Sequence, residues 1–576
     1  MLLLLLLTTI FLTSVWICRW IWYERFIKFA QFPQLPPSLL WGHLRIYHEV
    51  MQSGSLDRDH DHIFSQIHES LGRPPIVLFD YRPICRPVLV IANHEVGEQI
   101  SRSSKQFRSS VPKLGLSFLE PVIGHTSILS AEGEKWKALR KTFNPWFSLQ
   151  HLMSLMPSIL GKIEIFVTQL DALSVSGDEV SLVTLTTNLM YDIIGNAIFD
   201  IDMDAQHLEP GHQGELVRAF NDLINAYWDD KIHLPWFFTP VNALKRRRLG
   251  NRVHRIMKSI VRRKHEEHLW RQQQQRRTNG YEKRPQPQLP PSITLLSLQE
   301  TTHTGGILTP ELLDQTCDQL RTFLLGGHDS PSATLAWAFY ELSRTPRAQA
   351  AVHAELDGLF GPGRDAAAVR TALASPTEGP DLLRRMVYVE AVLKETLRLH
   401  PPASTARYSP KGSGFVVRLP TTGEELCLDD LILYNCSAIM HHDRGVFGST
   451  ANQFMPERWL MAEDEKNTNQ RTIPPSAWRP YERGPRACIG QEFARITMRV
   501  VLAVVARQYE FIKVGIGALA RDASTGLPIL RPDGRYEVDS QVYTVNGRFF
   551  SATFHRARRL RRALGKAGKM TKDTTN

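Results

Sequence analysis

The feature that most constrains this chain is a run at its start that water will not tolerate. Leu2 to Cys18, "LLLLLLTTIFLTSVWIC", carries no charge. As a helix these 17 residues reach about 26 Å at 1.5 Å per residue, close to the thickness of a bilayer's hydrocarbon core. Arg19, Trp20, Trp22, Tyr23, Arg25 and Lys28 follow, rings suited to the interface and cations that stay on the cytosolic side. A cleaved secretory signal carries its positive charge before the apolar run, and here the charge comes after it. The expectation is an anchor over residues 1–30 with the body of the chain in the cytosol.

The body has the composition of a large packed protein, with 43% apolar residues over the full chain. Six cysteines are scattered without a C-x-x-C pair, which excludes a zinc ribbon and a disulfide framework and fits a reducing compartment. A net charge of +11 calls for a partner or an acidic surface. Pro33, Pro36 and Pro37 make residues 31–45 a stiff, extended hinge. No period repeats along the chain, so solenoids and propellers are unsupported. From about 145 to 270 the apolar spacing is helical, whereas strand-like runs are few and short, as in "RPVLVIA" and "SGFVVRL". Thr309-Pro310 and Thr345-Pro346 each place a capping hydroxyl before a first-turn proline. The polar, proline-rich stretch 271–292 is expected to be a mobile insertion within one domain spanning 46–555, and 556–576 a basic tail. The fold class is therefore mainly α with small β-sheets.

Chemistry concentrates in "YERGPRACIG", residues 481–490. A thiolate is a strong, soft ligand for iron, and backbone N–H groups or positive charge keep it deprotonated. Gly484 and Gly490 allow backbone angles and close approaches that a Cβ would block. Arg486 can reach an acidic edge of a flat cofactor over the Cys488 sulfur. An inert buried cysteine in a turn is the ordinary alternative, and it leaves the combination unexplained.

This loop resembles the cytochrome P-450 signature F-x-x-G-x-R-x-C-x-G, matching at Gly484, Arg486, Cys488 and Gly490, with Tyr481 in place of Phe. Three more segments resemble that superfamily in order. In "KETLRLHPP", Glu395 and Arg398 share a helix face and resemble the E-x-x-R pair, which Arg458 of "QFMPERWL" would join in a buried network supporting the cysteine loop. In "EKWKALRKTF", Trp136 and Arg140 resemble propionate-binding residues, and Arg407 after "HPP" is assigned to a propionate by position. "FLLGGHDSPSATL" resembles the A/G-G-x-D/E-T-T segment above the heme, with Asp329 and Ser330 as proton-relay candidates. There Pro331 replaces the second threonine, and a kink is expected.

The resemblance implies the cytochrome P-450 fold behind an N-terminal transmembrane helix, with heme b held by Cys488 as the metal ligand and by Trp136, Arg140, Arg407 and Arg486. It implies a monooxygenase that inserts one atom of O₂ into an apolar small molecule, in the style of fungal secondary-metabolism members. NADPH would supply electrons through NADPH-cytochrome P-450 reductase, with cytochrome b5 as a second possible donor, and Lys135, Lys137, Arg140 and Lys141 offer a basic docking segment. The expected site is the endoplasmic reticulum membrane, single-pass, in contact with lipid and not with nucleic acid. Trp236, Phe237 and Phe238 form a further candidate membrane contact. Expected substrate walls are the loop 109–125, Phe323, Leu324 and Ala403 to Thr405. Two alternatives stand beside this reading: a reductase-independent heme-thiolate isomerase or dehydratase, and a non-enzymatic membrane protein that binds heme or lipid.

Overall fold

Alternation along two short strands sets the first layer. In β1 (Ile76–Phe79) and β2 (Val88–Ile91) every side chain but that of Val88 is buried. Ile76, Leu78, Leu89 and Ile91 enter one apolar cluster, whereas Val77, Phe79 and Val90 enter another. Side chains two apart share a face of a strand, so both faces of this sheet are covered. Four more strands follow, β3 (Thr405–Ser409), β4 (Val416–Arg418), β5 (Glu425–Cys427) and β6 (Leu431–Asn435). The sheet runs β1-β2-β6-β3, antiparallel except where β2 lies parallel to β6, and β4 pairs with β5 in a separate ribbon.

The computed structural model describes residues 2–53, 60–227, 239–278, 292–298, 307–362, 366–460, 473–515, 517–539 and 557–562. The chain divides into two compact units. Met1–Gly115, Ala403–Ala451 and Arg471–Ala487 form the sheet unit; Leu116–Pro402, Asn452–Gln470 and Cys488–Asn576 form the helical unit. Trp236 to Phe238 and most of the 271–292 stretch lie outside the described residues.

In the sheet unit the apolar start forms a helix, Leu2–Trp22, and Leu3–Ile27 is long and apolar enough to cross a membrane. Attachment to the folded part begins at once, before the prolines. Arg25 is buried, pairs with Asp80 at 2.6 Å and donates to the carbonyls of Leu39, Leu40 and Arg82. Arg82 pairs with both Asp80 and Glu24.

The helical unit is organised around Pro310–Arg344. Thr309 caps it as its position predicts, its hydroxyl accepting from the Leu312 N–H at 3.2 Å. Thr345 does not cap the next helix, Pro346–Phe360. Its backbone carbonyl takes the Ala348 and Gln349 N–H groups, while its buried hydroxyl has no hydrogen-bond partner among the described residues. Cys317, Leu320, Leu324 and Leu335 of the central helix lie in the main core. On its polar side, Asp318 accepts from the N–H and hydroxyl of Thr126, and Gln319 bonds to Ile128 and Thr126, fixing the 121–128 segment.

The helix Pro240–Thr278 continues eight residues into the glutamine-rich stretch. Strand β7 (Tyr509–Lys513) pairs with β8 (Ala557–Arg562), so the start of the basic C-terminal segment takes part in a two-stranded sheet.

Gly327 sets how closely two helices approach. A Cβ there would lie 2.3 Å from Ile194 Cδ1 at the end of the Leu182–Ile194 helix. Gly327→Val is expected to lower stability by about 1 to 3 kcal/mol through overpacking. Combined with Ile194→Ala, the loss should be less than the sum of the single losses by at least about 0.5 kcal/mol, as read by denaturant melts of all four species.

Candidate active site

The unit boundary falls at Ala487–Cys488, so each half of the cysteine loop belongs with its own unit. In the sheet unit, Gly484 has φ +76 and a Cβ there would lie 2.1 Å from the Ser101 carbonyl oxygen, so glycine is required. Arg486 is buried. Tyr481 sets its ring edge-on to Trp478, with centroids 6.1 Å apart.

Arg407 sits on β3, wholly buried. Its Nη1 donates to Ser110 Oγ at 2.7 Å and to the Val111 carbonyl at 2.8 Å, and its Nη2 stands 3.8 Å from Glu482. Glu482 also pairs with Arg479 at 2.5 Å and accepts from the Ser101 hydroxyl at 2.9 Å. Burial alone would raise the Glu482 carboxyl, but Arg479, Arg407 and Lys113 overcome it and hold the group far below its usual range. Sequence reasoning singled out Arg407 and missed Glu482, Arg479 and Ser101. The available signal was a carboxylate and an arginine three residues apart beside the cysteine loop.

In the helical unit Cys488 is exposed, in contrast to the buried Cys317. Burial and the neighbouring Asp318 and Asp314 push the Cys317 thiol up to about 12, which leaves that sulfur inert. The helix Gln491–Val505 begins three residues after Cys488, and Gly490 offers its first-turn N–H groups no side-chain cap. That helix end presents positive potential beside the sulfur. Gly490 itself is less constrained than the spacing implied. Its φ is −85, and a Cβ would make only ordinary contacts, 3.7 Å from Phe147 Cε1 and 4.0 Å from Cys488 Sγ. Trp136 is buried and Arg140, one turn later, is half-buried on the Gly133–Phe143 helix. Burial lowers the Arg140 guanidinium from its usual value, and the Cys488 sulfur acts in the opposite direction.

The E-x-x-R pair forms as expected on the helix Val387–Leu399. Glu395, fully buried, accepts from Arg398 Nε and Nη2 at 2.9 and 2.7 Å, from Arg458 Nε at 3.0 Å and from the Met455 N–H at 2.9 Å. Trp459 Nε1 adds a fifth donor at 3.0 Å, which the sequence reading did not anticipate.

Gly326 on the central helix is exposed, and a Cβ there would meet nothing within 4 Å. Asp329 and Ser330 follow within one turn, both half-buried. The helix carries Pro331 in its interior and is continuous to Arg344. Hydroxyls serve the carbonyls around the proline: Ser330 Oγ donates to Gly326, Ser332 Oγ to Asp329 and Thr334 Oγ1 to Ser330. Of the expected substrate walls, Phe323 packs on Phe143 and Phe147, and Leu324 is fully buried in the core and so lines nothing.

An exposed thiol at a helix N-terminus and a helix with an open glycine flank are the two parts of a heme-thiolate protein. A sequence model of the cytochrome P450 family matches residues 45–529, and the chain belongs to that family. It is 30% identical to the cytochrome P450 monooxygenase acrF of Aspergillus aculeatus, over 75% of this chain and 83% of that protein. It is 28% identical to the cytochrome P450 monooxygenase polC of Polytolypa hystricis, over 83% and 81% of the two chains. A bifunctional cytochrome P450/NADPH–P450 reductase of Gibberella moniliformis is 33% identical over 36% of this chain and 16% of its own. The protein is a heme-dependent monooxygenase that takes electrons from a redox partner and acts on an apolar substrate.

The Glu482 cluster yields a pH test. Its carboxyl titrates below the ordinary value of 4.5, so the stability it contributes is complete above that pH and is lost as pH falls through the folded-state value. Glu482→Gln is expected to cost about 3 to 5 kcal/mol at neutral pH by leaving buried arginine charge unmatched. Denaturant melts should show the gap to the unsubstituted protein closing on acidification.

Proposed function

We propose that this chain is an endoplasmic-reticulum monooxygenase of fungal secondary metabolism, reduced by NADPH-cytochrome P-450 reductase and with cytochrome b5 as a second donor. The observation that carries the reading is Cys488, a solvent-facing thiol at an uncapped helix start with the half-buried Arg140 near it. That donor set fits heme b: a soft anionic ligand for the iron, with Trp136 and Arg140 of the same unit for the propionates, while Arg407 and Arg486 are propionate candidates by the resemblance alone. The reductase is supported by the fused reductase in the Gibberella relative. Lys135, Lys137 and Lys141 are exposed on the helix that carries Arg140, Lys137 and Lys141 on one side of it, and supply the basic segment it would meet. The apolar Leu3–Ile27 helix supports a single-pass anchor in lipid with the catalytic body cytosolic.

Held by the Cys488 thiolate, heme would supply the oxygen activation. The chain's own part is to deliver protons. Ser330 donates its hydroxyl hydrogen to the Gly326 carbonyl at 3.0 Å, which leaves the lone pairs on Oγ to accept from a water in the space beside Gly326. Asp329 stands next in the chain to return a proton to that water.

Cys488→Ser is expected to leave folded protein that lacks the reduced carbon-monoxide spectrum of a thiolate-ligated heme and lacks turnover. A normal spectrum in that variant would remove Cys488 as the ligand.

Ser330→Ala should keep heme and substrate affinity while diverting reduced oxygen to peroxide, lowering product formed per NADPH consumed. Asp329→Asn should slow turnover more than it changes substrate affinity. An unchanged ratio together with an unchanged rate would favour a reductase-independent reaction.

A further inference from the structure

The Pro240–Thr278 helix has two unlike sides. Val253, Met257 and Val261 are buried in the main core. The opposite side, at 100° per residue, carries Lys245, Arg248, Arg255 and Arg262, all exposed. The three arginines are seven residues apart, a spacing of about 10.5 Å along the axis. From Lys245 to His265 the helix contains no Asp or Glu. Other cations of this helix are neutralised by carboxylates: Arg252 pairs with Asp222, Lys258 with Asp314 and Lys264 with Asp200. Lys245, Arg248, Arg255 and Arg262 have no ion pair among the described residues. Exposed apolar side chains bracket the row, Val241 and Leu244 before it and Trp270 after it, the last 62% exposed.

We propose that this face is a docking surface for a bilayer bearing anionic lipid headgroups. Phosphate or carboxylate headgroups would meet the cations, and Val241, Leu244 and Trp270 would enter the headgroup boundary. A row of cations about 26 Å long, with exposed apolar side chains before and after it and one exposed carboxylate, Glu266, a turn beyond Arg262, matches an extended anionic plane better than a compact acidic patch on a protein. The chain also brings that plane to itself through its Leu3–Ile27 helix, which raises the effective headgroup concentration around the body. The inference rests on that membrane attachment and is independent of the heme chemistry.

The test uses the full-length holoprotein in vesicles of phosphatidylcholine, alone or with one lipid in five replaced by phosphatidylserine. Lysines are briefly acetylated and read by mass spectrometry. Phosphatidylserine is expected to cut Lys245 labelling several-fold while leaving Lys137 unchanged. Each cation is worth about a factor of five in the surface-held population, so Arg248→Gln/Arg255→Gln/Arg262→Gln should return Lys245 to full labelling. That variant should keep its heme content and still sediment with the vesicles, since its substitutions are all exposed. Equal Lys245 labelling in the two vesicle types overturns the proposal. So does protection that appears in pure phosphatidylcholine only when reductase is added, which would assign the face to a protein partner. Failure to sediment with any vesicle would overturn the attachment itself and is read separately from the labelling.

Discussion

The geometry of the helical unit depends on one carboxylate with no access to water. Glu395 accepts from two arginines, an indole and a backbone N–H, and Arg398 passes a further bond to the Gln453 carbonyl. A buried charge is tolerable only when its lone pairs are met on every side, and here the donors come from two separate stretches of chain, 395–398 and 455–459. The cluster therefore joins two distant segments at one fixed geometry. It does no chemistry; together with the bonds from Arg347 to the Phe454 carbonyl and from Tyr388 to Glu457, it fixes the segment leading toward the cysteine loop.

The central helix shows the same logic applied to function. Two adjacent glycines serve opposite purposes: Gly327 lets the Leu182–Ile194 helix come close, whereas Gly326 faces open space. The first is a packing requirement and the second leaves room for a small molecule. Pro331 removes the backbone donor that would meet the Gly327 carbonyl, and the helix runs on to Arg344. A chain with serine rather than threonine at 330 has a less restricted χ1, so the hydrogen bond to Gly326 takes on part of the task of orienting that hydroxyl.

What could be read from the sequence was what chemistry places within a few residues. Glu395 with Arg398, the Thr309 cap and the strands in "RPVLVIA" and "SGFVVRL" all follow local rules, and the structure places them accordingly. Glu482 escaped because its significance lies in Arg407 and Ser101, each more than 70 residues away in sequence. Thr345 has the same Thr-Pro signature as Thr309, but its backbone carbonyl rather than its hydroxyl meets the first turn, a choice set by tertiary packing. Gly490 looked obligatory by analogy with Gly484, yet only Gly484 has a left-handed φ. The extra donor from Trp459 was illegible because nothing in "PERWL" says which way the indole turns.

Arg25 carries a consequence for how this protein meets its membrane. A cation just beyond an apolar run ordinarily stays hydrated or reaches for lipid phosphate, and the chain after it is then a loose leash. Here Asp80 and three carbonyls claim the guanidinium, within the same unit as the β-sheet. The leash is thereby shortened almost to nothing. Were the Leu3–Ile27 helix set in a bilayer, height and heading of the sheet unit above the lipid would follow from where the helix emerges, and a hydrophobic molecule dissolved there would meet the same portion of that unit's surface at each encounter.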